Sequence, residues 1–287
     1  MFLDAHIHME QPCVNIDTQH SLCSKMKLAG IDGGVIMSPD PVKYSFVAAE
    51  KRIDAAIELC RGMDMLFPFY WIDPMDDSAV LQVDMAAKRG IVGFKIICSG
   101  FYPNDNRVLD VCERAASLGK PVIFHSGILW DGRDSSRYNR PCEFECLLDI
   151  KDLRFSLAHI SWPWCDECIA VYGKFANACA LRGDITSEMF VDITPGTPKM
   201  WRPDAMRKLL CGGYDVMHNI LFGSDCNVEN YNWEWANDWI KYDIGLIENF
   251  EIENREALIR HIFGQNLLRF IGISDKHVER VLPITAV

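Results

Sequence analysis

The sequence predicts an α/β protein, specifically a single-domain (β/α)8 TIM barrel spanning residues 1–287, and three observations support this prediction. Eight short runs rich in β-branched and aromatic residues start roughly 30 residues apart. Helical patterns occupy the gaps between these runs, an alternation typical of parallel α/β folds. Several runs are apolar throughout, as in parallel strands that are buried on both faces. No Pro-, Gly- or Ser-rich linker divides the chain, so one domain is the simpler interpretation.

The candidate strands, in chain order, are FLDA (2–5), GVIMS (34–38), MLFPFYWI (65–72), VGFKII (92–97), PVIFH (121–125), RFSLAH (154–159), MFVDI (189–193) and ILFGS (220–224). Eight repeats indicate closure into a barrel. The competing fold is an open doubly wound sheet, which usually has a glycine-rich turn after its first strand. Gly30, Gly33 and Gly34 instead precede a strand, so the barrel is preferred.

Helices are predicted at residues 45–61, 108–118, 169–179 and 255–271. The first of these has the clearest pattern, because its apolar residues from Phe46 to Cys60 fall on one stripe with a period of 3.6 residues. The last is amphipathic and is expected to close the domain.

The composition excludes some classes of function. The net charge of −11 argues against nucleic acid as a partner, since phosphate binding requires clustered basic residues. No apolar run approaches the roughly 20 residues that cross a bilayer, and the amino-terminal residues lack a secretory pattern. A cytoplasmic protein with reduced cysteines is therefore expected. Cys165 and Cys168 have C-x-x-C spacing but no second such pair, and they are interpreted as two cysteines of a surface helix.

Residues that can bind a metal gather at the predicted carboxyl ends of five strands, where the chemistry of a (β/α)8 barrel is found. They are His6, His8, Lys95, His125, His159 and Asp225. His6 and His8 lie two apart on one strand, so their rings share a face and both can reach one ion. A lone histidine is more often a structural residue. Four histidines and an aspartate on one rim, however, match the donors of a catalytic zinc or similar divalent ion.

In combination, the H-x-H of LDAHIHME, the lysine of GFK, the histidines of PVIFHSG and LAHIS, and the aspartate of LFGSD resemble the metal-dependent amidohydrolase superfamily. More narrowly, the chain resembles the amidohydrolase-related branch of predicted TIM-barrel hydrolases and non-oxidative decarboxylases. The resemblance runs nearly end to end. Larger members carry a β-sandwich before the barrel, and none is expected here because H-x-H starts at residue 6.

The resemblance implies that His6, His8 and Asp225 hold one ion. His125, and in one arrangement also His159, would complete its shell or hold a second ion. Lys95 matches the lysine that binuclear members carry as a carbamate bridging two metals. The alternative is an ordinary lysine, paired with an aspartate or orienting a substrate carboxylate, and both alternatives stay open. Zinc is the expected metal, as one or two ions, although manganese, iron and nickel accept the same donors.

The expected function is hydrolysis of an amide, ester or lactone bond of a small molecule by a metal-activated water, since such an ion lowers the pKa of bound water toward about 7. Asp225 is expected to act as general base and then general acid. His159 would polarise the scissile carbonyl if it is not a ligand. Two alternatives remain: metal-dependent non-oxidative decarboxylation of a small carboxylic acid, and a catalytically inactive barrel that binds a metabolite or a protein partner.

Aromatic and basic residues in the loops after the strands predict the substrate pocket. Tyr102, Trp130 and Arg133 are the candidates for substrate binding, and Arg133 would bind a carboxylate of a small acyl-type substrate. Loop tryptophans and tyrosines more often pack their loops onto the barrel, and loop arginines are often solvated or paired with nearby acids. A homo-oligomer is a prior only, because dimers are the commonest soluble assembly.

Overall fold

The structure is a computed structural model that describes residues 1–13 and 15–273. Within these ranges nine strands form one sheet, and every pair of neighbouring strands is parallel. The strands are β1 Leu3–His8, β2 Gly33–Met37, β3 Leu66–Trp71, β4 Gly93–Ile96, β5 Val122–Phe124, β6 Arg154–Leu157, β7 Glu188–Asp192, β8 Ile220–Leu221 and β9 Cys226–Asn227. Their order in the sheet is β8-β7-β6-β5-β4-β3-β2-β1-β9, so each strand from β1 to β7 neighbours the next along the chain.

The eighth predicted strand is divided into two short pieces. β8 pairs with β7, whereas β9 pairs with β1. Between them, the carbonyl oxygen of Phe222 accepts a hydrogen bond from Ala5 N (2.8 Å). Asp225 then adopts a left-handed backbone conformation with φ 59°, which an L-residue rarely takes within a strand. The segment that contains β8 and β9 therefore pairs with β7 through one part and with β1 through the other.

All eight predicted strand runs coincide with strands of the sheet, with ends that differ by a few residues. β1 extends to His8, so both histidines of H-x-H belong to the strand. β6 ends at Leu157, and His159 lies beyond it in the tight turn Ala158–Ser161. The placement of His159 within the strand run was therefore wrong, because the backbone turns left-handed (φ 65°) at this residue.

Helices connect most of the strands. They are α1 Ile16–Ala29, α2 Ala49–Cys60, α3 Ala79–Arg89, α4 Asn106–Ser117, α5 Cys165–Leu181, α6 Arg202–Cys211, α7 Trp233–Asn249, α8 Arg255–Arg260 and α9 Asn266–Ile271, with a π-helical turn at His261–Gln265 between the last two. Local signals account for several ends. The side chain of Asn15 caps α1 by accepting a hydrogen bond from Thr18 N, and Gly30 ends α1 with φ 78°.

Two helix predictions need correction. α2 begins at Ala49 rather than at residue 45, because residues 41–46 form turns held by the Asp40 side chain, which accepts from Val42 N and Lys43 N, and by the backbone hydrogen bond from Val47 N to Tyr44 O. Phe46 consequently lies outside the helix and is 82% exposed. α5 begins at Cys165, but Cys165 and Cys168 are buried against the core rather than on the surface. All twelve cysteines are free thiols.

Apolar side chains cover both faces of the sheet. On one face lie Val35, Phe67 and Phe69, and on the other lie Ile36 and Tyr70, which pack under the helices. Among the described residues, no helix combines the length and hydropathy needed to cross a bilayer. The polar side chains at the carboxyl ends of the strands therefore stand out against an apolar framework.

Candidate metal centre

Three of the predicted ligands converge at the carboxyl end of the sheet. The ligand atoms of His6, His159 and Asp225 all lie within 4.8 Å of one another, and within residues 1–13 and 15–273 no other group of three His, Cys, Asp or Glu residues does this. They line a cavity of about 320 Å³, together with His8, Lys95 and His125. The structure thus brings all six predicted metal-binding residues to one cavity.

His6 is oriented by an aspartate that the sequence analysis did not select. His6 Nδ1 lies 2.7 Å from Asp192 Oδ2, and both side chains are buried. The other oxygen of Asp192 accepts hydrogen bonds from Thr194 N (2.7 Å) and from the Thr194 hydroxyl. Burial, reinforced by Lys95, lowers the pKa of His6 to about 3, so the ring is neutral. The proton then resides on Nδ1, and Nε2 presents its lone pair to the cavity.

His159 is oriented by the backbone. Its Nδ1 lies 3.2 Å from the carbonyl oxygen of Pro195, which leaves Nε2 as the unprotonated nitrogen. A Cβ on Gly196 would lie 2.7 Å from His159 Cβ, so the next loop can pass this close only with glycine there. His159, Ile160 and Ser161 all have positive φ, a concentration of strain of the kind found at functional sites. Burial lowers the pKa of His159.

Asp225 is held between the two histidines of β1. Its backbone N–H donates to His6 O (3.0 Å), and its Oδ1 lies 3.3 Å from His8 Nε2 and 3.7 Å from His6 Nε2. Desolvation raises the pKa of the Asp225 carboxyl, but the hydrogen bond with His8 lowers it, and the net pKa lies below its usual range. Asp225 is therefore a carboxylate, as a metal ligand or a general base requires.

His8, His125 and Lys95 surround this group without joining it. The ring of His8 lies 5.0 Å from that of His6, between centroids. His125 Nε2 lies 3.2 Å from Ile128 O, which places the proton there and leaves Nδ1 as acceptor. Lys95 is fully buried, its Nζ lies 3.3 Å from His6 Nε2, and burial lowers its pKa to about 8.

A second missed aspartate joins the strand of H-x-H to the turn of Asp225. Asp4 Oδ1 accepts hydrogen bonds from His6 N (3.0 Å) and Ser224 N (2.8 Å), and its Oδ2 accepts one from Tyr231 OH (2.8 Å). Burial raises the pKa of Asp4 to about 6. The sequence does contain a signal for Asp4 and Asp192, because each is an acid inside an apolar run, as Lys95 is a base inside one.

The three predicted substrate-binding residues separate. Trp130 lines the mouth of the metal-centre cavity and is 84% exposed. Arg133 lines a neighbouring cavity instead, and its Nε lies 3.1 Å from Asp131 Oδ2. Tyr102 belongs to the lining of neither cavity, and its ring packs edge-on against Tyr138 at 4.7 Å.

The donor set suits a divalent ion. Two neutral imidazoles whose Nδ1 protons are engaged elsewhere, and one carboxylate, are three ligands of the two types that zinc takes in such catalytic sites. Three protein ligands leave a coordination position open for water or substrate. The carboxylate and carbonyl that hold the ring protons are the outer partners that such ligands usually have.

Comparison with known proteins identifies a family and similar folds. A family model described as Amidohydrolase matches residues 27–273. No curated protein matched the chain. Among solved structures, a probable 2-pyrone-4,6-dicarboxylic acid hydrolase from Acinetobacter baumannii with citric acid bound is 15% identical over 95% of this chain and 99% of its own, with a TM-score of 0.59.

Two further solved structures are similar in fold. Amidohydrolase 2 from Bifidobacterium longum subsp. infantis has a TM-score of 0.57 and 12% identity over 95% of this chain and 99% of its own. Adenine deaminase from Arthrobacter aurescens has a TM-score of 0.54 and 15% identity over 98% of this chain and 96% of its own. At these identities the likeness concerns the fold alone.

Proposed function

The chain belongs to the amidohydrolase family, and from this premise we propose that it is a metal-dependent hydrolase acting on an amide, ester or lactone bond of a small molecule. The observation that carries the proposal is the convergence of His6, His159 and Asp225 within 4.8 Å in a cavity at the carboxyl end of the sheet. We propose zinc as the metal, since two imidazoles and a carboxylate suit it.

We further propose that β8 and β9 are one interrupted strand that closes a single-domain (β/α)8 barrel. The pairing of β8 with β7 and of β9 with β1 supports this proposal. In a closed barrel, the carboxyl ends of all strands surround one opening. Ligands from β1, from the turn after β6 and from the β8–β9 segment would then reach one ion from three sides.

When bound, the ion would act as a Lewis acid and lower the pKa of a water molecule. Side chains of this protein transfer the proton and orient the reacting groups. Asp225 accepts a proton from the attacking water and returns it to the leaving group, a general base and then general acid. His8, 3.3 Å from Asp225 Oδ1, keeps this carboxylate oriented and ionised. Lys95 presents a donor beside the ligands, where it can hydrogen-bond the scissile carbonyl oxygen.

Decarboxylation remains the second candidate, because one observation favours it. Lys95 is a buried amine beside His6, and within the described chain no carboxylate lies within ion-pair distance of it. Such a group can hold a substrate carboxylate in the cavity. If Lys95 is instead carboxylated, it becomes an acceptor, and it would hold a second ion together with His125.

The test is metal analysis combined with turnover, on protein purified without chelator. We expect one zinc ion per chain, and His6→Ala and His159→Ala should each lower the zinc content. On a panel of amides, esters and lactones, Asp225→Asn should reduce turnover by about 10²- to 10⁴-fold. Asp204→Asn, which removes an exposed carboxylate of α6, is the control and should match wild type.

Each other outcome has a definite meaning. Protein that binds no zinc or manganese, or Asp225→Asn with full turnover, would refute the proposal. Two ions per chain with a mass increase on Lys95 would identify a carbamate-bridged site. Release of CO₂ from carboxylic acids in place of hydrolysis would identify the decarboxylase.

A further inference from the structure

A second cavity of about 370 Å³ adjoins the cavity of the metal centre. The two cavities share Ile97, Leu129 and Asp131 in their walls. Trp71 lines the second cavity, and its ring lies 5.5 Å from that of His8 in the first. A molecule whose reacting bond lies at the metal centre can therefore extend its remaining part into this second cavity, which we term the distal cavity.

The distal cavity has apolar walls with charges at a few positions. Its aromatic and aliphatic lining consists of Val42, Trp71, Ile72, Met75, Ile97, Phe101 and Leu129. Its charged lining consists of Asp40, Asp73, Asp131 and Arg133. A largely apolar pocket with a few placed polar groups is how small-molecule sites are built, and the polar groups determine which end of the ligand fits where.

The charges in the distal cavity do not cancel. Arg133 is occupied by Asp131, with Nε 3.1 Å from Oδ2. Asp40 and Asp73 are half-buried, and neither forms an ion pair within the described part of the chain. Each uses only Oδ1 in a local turn, where it accepts backbone N–H bonds from Val42 (2.7 Å) and Met75 (2.9 Å), respectively. Arg107, which is ion-paired with Asp105, is the nearby cation that interacts with Asp73 across a longer distance. Two carboxylates without an ion-pair partner therefore face a cavity beside the metal centre.

We infer that the substrate carries a cationic ammonium group on an apolar or aromatic body, and that the distal cavity binds this group. The inference rests on the proposed function for the position of the reacting bond. An ammonium offers three donors to acceptor-only carboxylates, whereas a substrate carboxylate would be repelled. A bare metal ion is disfavoured here, because Asp40, Asp73 and Asp131 do not converge as His6, His159 and Asp225 do. The charge of Arg133 is balanced by Asp131, so the pair adds no net positive charge to attract a carboxylate.

The test uses three probes with one body and three end groups: phenethylamine, 2-phenylethanol and phenylacetate. Binding to the full, metal-loaded chain is measured by calorimetry in wild type and in Asp73→Asn. The asparagine keeps the oxygen that accepts the Met75 N–H, so the turn is preserved while the charge is removed. Asp76→Asn is the matched control. In the same loop, Asp76 Oδ1 accepts the backbone N–H of Ser78, just as Asp73 Oδ1 accepts that of Met75, but Asp76 does not line the distal cavity.

Asp73→Asn should weaken phenethylamine binding about fivefold, leave 2-phenylethanol within about twofold, and tighten phenylacetate binding. Asp40→Asn should act in the same directions, and Asp76→Asn should change none of the three. The change in affinity should therefore have opposite signs for the amine and the acid. This contrast holds when the bound metal itself attracts phenylacetate, because each probe is compared between wild type and variant.

The substitution Gly100→Leu tests whether the probes bind in the distal cavity. Gly100 lines the distal cavity, and a Cβ on it would meet no atom within 4 Å, so a larger side chain can occupy that space. All three probes should bind this variant more weakly. The inference is overturned if phenethylamine does not bind wild type, if amine and acid respond alike to Asp73→Asn, or if Gly100→Leu changes nothing. Metal content and turnover test the proposed function separately, so the two failures are distinguishable.

Discussion

The hydrogen bond between Asp192 and His6 leads to a specific prediction for Asp192→Asn. An asparagine has one acceptor oxygen where aspartate has two. If that oxygen stays toward Thr194, it keeps the hydrogen bonds from the backbone N–H and the hydroxyl, and its NH₂ group faces His6 Nδ1. If it turns to His6, one hydrogen bond is kept and two donors meet at Thr194. The first orientation keeps two hydrogen bonds and the second keeps one, so the first orientation is favoured.

In that orientation the His6 ring must change its tautomer. Nδ1 becomes the acceptor for the new NH₂ group, and the proton moves to Nε2, the nitrogen that faces Asp225 and the cavity. An ion can bind only after the proton returns to Nδ1 and the hydrogen bond from the introduced amide is lost. The variant also lacks the hydrogen bond from His6 Nδ1 to the Asp192 carboxylate, and a hydrogen bond to a charged group contributes about 1.5–3 kcal/mol. We therefore expect zinc affinity to fall about 10- to 100-fold, the range known for outer partners of ligating histidines.

Zinc affinity is measured by competition with a chromophoric chelator, and the tautomer by ¹⁵N chemical shifts of the His6 ring in metal-free protein. Asp243→Asn is the control, because it removes another fully buried carboxylate outside the cavity, and it should leave zinc affinity unchanged whatever it does to stability. Zinc affinity within threefold of wild type for Asp192→Asn, with the proton still on Nδ1, would refute the argument.

Two further substitutions test packing around and away from the metal centre. Gly223→Ala should lower zinc affinity, because the new Cβ would lie 2.5 Å from His6 Cβ and displace it; Gly245→Ala, whose Cβ meets nothing within 4 Å, should not, and equal titration curves would contradict this reasoning. Arg202→Met should lower the free energy of unfolding by about 3–5 kcal/mol in urea denaturation, because it leaves the fully buried carboxylate of Asp243 without its partner. A loss below about 1 kcal/mol would mean that this ion pair contributes little.

The sheet could be predicted from the sequence because burial on both faces leaves a strong signal. Runs such as VGFKII and PVIFH are apolar apart from Lys95 and His125, and each coincides with a strand of the sheet. The starts of the helices leave a weaker signal. Phe46 fits the apolar stripe of α2 by spacing alone, yet residues 41–46 form turns, the first of them held by the Asp40 side chain, and Phe46 lies in solvent. Periodicity cannot detect a competing side-chain hydrogen bond of this kind.

The candidate site was predictable in its donors but not in their supports. Strand-end histidines are visible as residue types at a spacing, whereas Asp192 is recognised only once the fold places it 2.7 Å from His6 Nδ1. The partner of Arg133 is likewise recognised only in the structure. The sequence offers Arg133 as a group that could bind a substrate carboxylate, whereas the structure pairs it with Asp131. Pairing between residues of different loops, or within one loop, depends on backbone conformation that composition does not reveal.

The left-handed backbone conformations of His159 and Asp225 help to explain why the donors converge where a regular sheet would keep them apart. Strands in a sheet lie about 4.8 Å from one another, and β6 is not adjacent to β1. A positive φ at His159 turns the chain after β6, and a positive φ at Asp225 turns it between β8 and β9, so that both side chains approach His6. Such conformations cost about 1–3 kcal/mol each for residues other than glycine, and they persist only where surrounding contacts hold them. Two contacts of this kind are the hydrogen bond between His159 and the Pro195 carbonyl and the hydrogen bond from Ser224 N to Asp4 beside Asp225. The same few hydrogen bonds therefore contribute both to the stability of the fold and to the geometry of the metal centre.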